Sequence, residues 1–140
     1  MNRAEALIDL SALEYNVNVY LKALARRVWR LLKADGYGHG LIPVAKRALA
    51  AGATWLGTAL LEEALTLRNA GVEAPIIAWL TPVSDDFESA LKKKVDLAIP
   101  SLDHLQALVD ISNAIQIVPR VHLEVDTGMS RGGALREWKA

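Results

Sequence analysis

Two glycine-punctuated segments hold most of the chain's reactive side chains. The first is Lys33-Ala34-Asp35-Gly36-Tyr37-Gly38-His39-Gly40, directly after the apolar run Val28 to Leu32. Alternation along an extended run sends Trp29, Leu31 and Lys33 to one side and Val28, Arg30 and Leu32 to the other. If Lys33 faces the interior, its amine sits among apolar groups, where desolvation favours the neutral form. A neutral amine is what a Schiff base with an aldehyde requires. Gly36, Gly38 and Gly40 allow a tight turn around Tyr37 and His39 and leave backbone N–H groups near a helix start. The second segment, Asp126-Thr127-Gly128-Met129-Ser130-Arg131-Gly132-Gly133, offers an arginine that can pair with a carboxylate or a phenolate.

Each feature also has an ordinary reading. A lysine ending a strand is most often solvated. The spacing G-x-G-x-G is neither the dinucleotide fingerprint nor a P-loop. A single histidine such as His39 more often caps or packs than ligates, and His104 and His122 are too distant in sequence to give zinc spacing, so no metal is expected. An arginine in a Gly-rich turn is commonly one half of a surface salt bridge.

The elements that must position these segments alternate in kind. Short apolar runs (Val28 to Leu32, Trp55 to Thr58, Pro75 to Leu80, Val95 to Ile99, Val121 to Val125) alternate with helically spaced segments, which predicts βα units and a parallel sheet. Ser11 and Glu14 form an S-x-x-E capping pattern, with Leu10 and Tyr15 placed as a staple. Leu13, Val17, Tyr20, Leu21 and Leu24 then share one helix face. Further helices are predicted on Leu41 to Leu49, Leu61 to Leu67, after Ser84, and after Ser101. Ala4 to Asp9 reads as a weak extra strand, and Ala134 to Ala140 as the start of another helix. The residues alone leave two architectures open: an open five-stranded α/β sheet, or the first part of a larger barrel that needs eight strands.

Composition excludes several classes. The 140 residues are 52% hydrophobic and 23% charged, a globular balance. Sixteen basic residues cancel sixteen acidic ones, so nothing points to nucleic acid or to a membrane surface. The absence of cysteine excludes disulfides and thiolate metal sites and suits a reducing compartment. No run approaches the roughly 20 apolar residues of a membrane span, and no signal peptide opens the chain, so a soluble cytoplasmic protein is expected.

The octapeptide Lys33 to Gly40 resembles the pyridoxal-phosphate signature of alanine racemases. Val121-His122-Leu123-Glu124-Val125-Asp126-Thr127-Gly128-Met129-Ser130-Arg131 resembles a later motif of that family, and Gly52 to Gly57 with Leu61-Glu62-Glu63-Ala64 is similar to its actinobacterial version. The resemblance implies that residues 1–140 are the N-terminal part of the pyridoxal-phosphate-binding barrel domain. The implied fold is α/β, a partial (β/α)8 TIM-type barrel with about five parallel strands, the C-terminal barrel strands and β domain being absent. The implied activity is the pyridoxal 5'-phosphate-dependent interconversion of L-alanine and D-alanine for peptidoglycan, by a homodimer. Lys33 matches the catalytic, cofactor-holding lysine, Tyr37 the tyrosine on the cofactor phosphate, and Arg131 the arginine by the phenolic oxygen and substrate. A serine or broad-specificity racemase and a non-catalytic truncated fragment are the alternatives.

The sequence departs from the family pattern at two internal positions. Glu124 stands where many members carry a lysine, often carbamylated; both are anions, so Glu124 is expected to pair with and orient Arg131. Arg30 stands in the first barrel strand where small or apolar residues are usual, and must snorkel or find an acid.

Overall fold

The computed structural model describes residues 4–24 and 29–134. The chain forms α1 (Leu10–Leu24), β1 (Trp29–Leu31), α2 (Lys33–Tyr37), α3 (Leu41–Ala50), β2 (Trp55–Thr58), α4 (Leu61–Asn69), β3 (Ile76–Ala78), α5 (Phe87–Lys92), β4 (Asp96–Ile99), α6 (Leu102–Ile115) and β5 (Val121–Leu123). The strands make one parallel sheet in the order β1-β2-β3-β4-β5. All five apolar runs therefore become strands of three or four residues, Trp55 to Thr58 with the bounds expected.

Register sorts the side chains onto two faces. Leu56 is level with Ile76, Ala78 with Leu97, and Ile99 with Leu123. Leu32, Leu56, Ile76, Ala78, Leu97 and Ile99 pack against Val44 and Ala45 of α3, Leu61, Ala64 and Leu67 of α4, Phe87 of α5 and Leu108 of α6. Burying each large side chain of this layer contributes about 1.5–3 kcal/mol. α1 lies outside α3, sealed by Val17, Ala48, Ala51 and Ala53 with Leu13 and Leu21. The concave face carries Trp29, Trp55, Gly57, Asp96 and His122 and has no helix over it among the described residues.

That face is pinned at the N-terminal ends of the strands. Trp29 and Trp55 stack at 4.6 Å between ring centres, and His122 meets both edge-on. Arg120 lies over the Trp55 ring at 4.7 Å. The buried Asp96 carboxylate accepts from Arg120 Nε at 2.6 Å and lies 2.8 Å from His122 Nε2.

Some expectations are corrected. Ala4 to Asp9 is irregular, not a strand. Asp9, not Ser11, caps α1: its Oδ1 accepts from the Ser11 and Ala12 N–H groups at 2.8 and 3.3 Å. Glu14 does not close a capping box but pairs with Arg47 of α3 at 2.9 Å. Tyr15 and Tyr20 are exposed, so neither staple nor face extends to them. The fourth helix starts at Phe87 with Asp86 as its cap, two residues beyond Ser84. Ser101 caps α6 as expected, accepting from the His104 N–H at 3.4 Å. The expected first-strand residue Val28 and most of the expected helix from Ala134 to Ala140 lie outside the described residues.

Candidate functional site

α2 is a left-handed turn. Ala34, Asp35, Gly36 and Tyr37 all have positive φ, between 53° and 64°. For the three residues with a Cβ this costs roughly 1–2 kcal/mol each. The turn is held by Gly36 N–H to Leu32 O at 2.8 Å, Gly38 N–H to Ala34 O at 2.9 Å and Gly40 N–H to Asp35 O at 3.0 Å. Asp35 Oδ1 accepts from the Leu41 N–H at 2.7 Å, tying the turn to the start of α3.

Lys33 and Tyr37 stand at the ends of this turn, with the Lys33 amine 5.6 Å from the centre of the Tyr37 ring. Both side chains are exposed. The dry amine expected from strand alternation is thus not enclosed by the described residues. Five strands form an open arc, and its concave face, where Leu31 is also 44% exposed, has no cover among the described residues. Among the described residues the Lys33 amine has no ion pair or hydrogen bond.

The second segment follows β5. Residues 124 to 134 close on themselves through the Val125–Ala134 bridge, with Ala134 N–H to Glu124 O at 2.8 Å. Asp126 Oδ1 accepts from the Gly128 and Ser130 N–H groups at 2.9 and 3.0 Å. These bonds, that from Ser130 foremost, hold the Asp126 carboxyl below the usual aspartate value. Arg131 is exposed. The expected Glu124–Arg131 ion pair is not formed; the Glu124 carboxylate lies instead over Gly132, 3.6 Å from where a Cβ there would stand. Both segments lie on the C-terminal edge of the sheet, at its opposite ends. Four strand spacings, about 19 Å along the sheet, separate them.

Arg30 points to the helix layer, as its parity predicts, and its Nε is buried without a hydrogen-bond partner. It lines a cavity of about 230 Å³ with Asp9, Asn16 and His39.

The family profile described as "Alanine racemase, N-terminal domain" matches residues 8–140. The chain belongs to this family. The alanine racemase of Thermobifida fusca is 45% identical over 139 residues, covering 98% of this chain and 37% of the relative. That of Mycolicibacterium smegmatis is 44% identical over 132 residues, covering 93% and 34%. The chain thus spans little more than a third of the length of the relatives it matches. Among solved structures, alanine racemase from D-cycloserine-producing Streptomyces lavendulae superposes with a TM-score of 0.89 at 35% identity, over 92% of this chain and 34% of that one. The histidine racemase of Leuconostoc mesenteroides superposes at 0.78 and 32% identity, over 89% and 34%. The five-stranded arc is therefore the fold of an alanine racemase N-terminal barrel domain.

Two groups were given no role by the motif reading. One is Glu63, quoted within Leu61-Glu62-Glu63-Ala64, whose carboxylate reaches the Lys33 turn. The other is Arg68, whose guanidinium donates to Val72, Ala74, Lys93 and Lys94 carbonyls at 2.7–2.9 Å. Glu63 stands at the third position of α4, where a helix-start glutamate is ordinary, and Arg68 carries no motif at all.

Proposed function

We propose that this chain carries the cofactor-lysine half of the site of a pyridoxal 5'-phosphate-dependent alanine racemase. The observation that supports it best is the pairing of a free, exposed amine with a phenol on one rigid turn at the C-terminal end of β1. That donor set suits the cofactor: the amine can take an aldehyde, and the phenol can donate to a phosphate. Pyridoxal phosphate, when bound, supplies the aldehyde and a ring that takes up the electron pair left at an amino acid's α-carbon.

The chain's own residues do the rest. Lys33 Nζ would hold the cofactor, and its amine would accept and return the α-proton on one face. The Tyr37 phenol would donate to the cofactor phosphate. Arg131 would serve the cofactor's phenolic oxygen and the substrate carboxylate. Glu124, over Gly132 in the same loop, would neutralise and orient that guanidinium. A base on the opposite face comes from a partner subunit, as in a homodimer. Cytoplasmic location follows from the same reading; among the described residues no helix is long and apolar enough to cross a membrane.

A base on one face exchanges the α-proton of one enantiomer only. The chain with pyridoxal phosphate in deuterium oxide is expected to wash the α-proton from one alanine enantiomer faster than from the other, and Lys33→Ala to abolish the difference. Washout unchanged in Lys33→Ala would refute the reading. The likeness to a histidine racemase favours a second reading, an amino-acid racemase of other specificity; faster washout from histidine or serine than from alanine would select it.

A further inference from the structure

Glu63 belongs to α4, yet it serves two elements. Its Oε2 accepts from the Ala59 and Leu60 N–H groups at 3.2 and 3.3 Å, the ordinary work of a glutamate at the third position of a helix. Leu60 has no side-chain acceptor to reciprocate, so the box is one-sided. The other oxygen is thereby free to leave its own helix. Oε1 accepts from the Asp35 N–H at 3.1 Å, 28 residues away, in the middle of the left-handed turn.

That bond falls within the run of positive φ. Asp35 has φ 53° and ψ 45°, flanked by Ala34 at φ 53° and Gly36 at φ 64°. Asp35 lies in the first turn of α2, where an N–H has no acceptor within the turn, and Glu63 supplies one. Asp35 then uses its own carboxylate on the Leu41 N–H, so the chain of contacts runs from β2's loop through Glu63 and Asp35 to α3. Lys33 and Tyr37 lie two residues either side of Asp35.

We infer that Glu63 is a positioning residue for the cofactor site: its carboxylate fastens the Lys33–Tyr37 turn to the neighbouring loop and so fixes the amine relative to the phenol. This rests on the reading that Lys33 and Tyr37 hold pyridoxal phosphate. A carboxylate is needed, since three N–H donors address its two oxygens. The amide of Glu63→Gln must turn its NH2 towards one set of donors and satisfies only the other.

Two readouts on the chain test this. Amide hydrogen exchange at Asp35 is expected to accelerate about tenfold or more in Glu63→Ala, and in Glu63→Gln to a smaller extent, while exchange in β3 and β4 stays as in the wild type. The second is capture at Lys33 by borohydride reduction, comparing pyridoxal phosphate with pyridoxal, which lacks the phosphate. The wild type is expected to prefer the phosphate-bearing form, and both variants to lose at least half of that preference. A global structural role would not lower the preference while leaving sheet exchange unchanged. Unaltered Asp35 exchange in both variants overturns the inference, as does faster exchange with the preference intact. A wild type with no phosphate preference at Lys33 refutes the cofactor reading, and with it the positioning role; the exchange data then describe a loop tether only.

Discussion

Gly57 presents only a hydrogen to the concave face, and Trp79 occupies the space. A Cβ at residue 57 would stand 2.5 Å from Trp79 Cζ3 and 3.1 Å from Leu31 Cδ2. Neither neighbour can yield without lifting an indole off the sheet. Gly57→Ala should cost about 1–3 kcal/mol of stability, measured by urea unfolding. Asp126 sets a second test. Its folded carboxyl titrates below the ordinary 3.8 because the Ser130 and Gly128 N–H groups favour the anion. A lowered value in the folded state means that this stabilisation is present above 3.8 and is lost as pH falls through the folded value. The amide resonances of Ser130 and Gly128 should therefore titrate together below 3.8, and Asp126→Asn should abolish that titration. The motif residues themselves were legible in the sequence: Lys33, Tyr37, Glu124 and Arg131 all fall on the loop edge of the sheet. Their mutual contacts were not. The exposure of Lys33 depends on what covers the concave face, and the absent Glu124–Arg131 pair depends on the path of the 124–134 loop, which sets Glu124 over Gly132; spacing encodes neither.

Arg68 joins three elements with one side chain. Its Nε, Nη1 and Nη2 reach the carbonyls of Lys93, Val72, Ala74 and Lys94, which knits the end of α4 to the approach to β3 and the turn after α5. Burial lowers the readiness of this guanidinium to stay charged, and the nearby Asp96 opposes that. Lysine keeps the charge but not the planar fork. Arg68→Lys should cost about 2 kcal/mol in urea unfolding, with the Val72 and Lys94 regions exchanging faster. Periodicity found the helices and strands because each buries an apolar stripe or run. It overread Ala4 to Asp9, where an alternating tether looks like an edge strand. It also missed α2, since left-handed geometry at Ala34 and Asp35 follows from the contacts of Glu63 and Leu41 rather than from local preference.

At the scale of the molecule, the five strands form an arc whose helix side is finished and whose concave side is open. The stacked tryptophans and the Asp96 cluster secure one end of that face, leaving the opposite edge to the Lys33 turn and the 124–134 loop. The likeness to alanine racemase barrels covers nearly all of this chain and about a third of theirs. The most direct test is where pyridoxal phosphate attaches. After reduction with borohydride at limiting cofactor, peptide mass spectrometry should find the added mass at Lys33 in preference to the six other lysines, and Tyr37→Phe should weaken that preference. Attachment spread evenly over the exposed lysines would contradict the account.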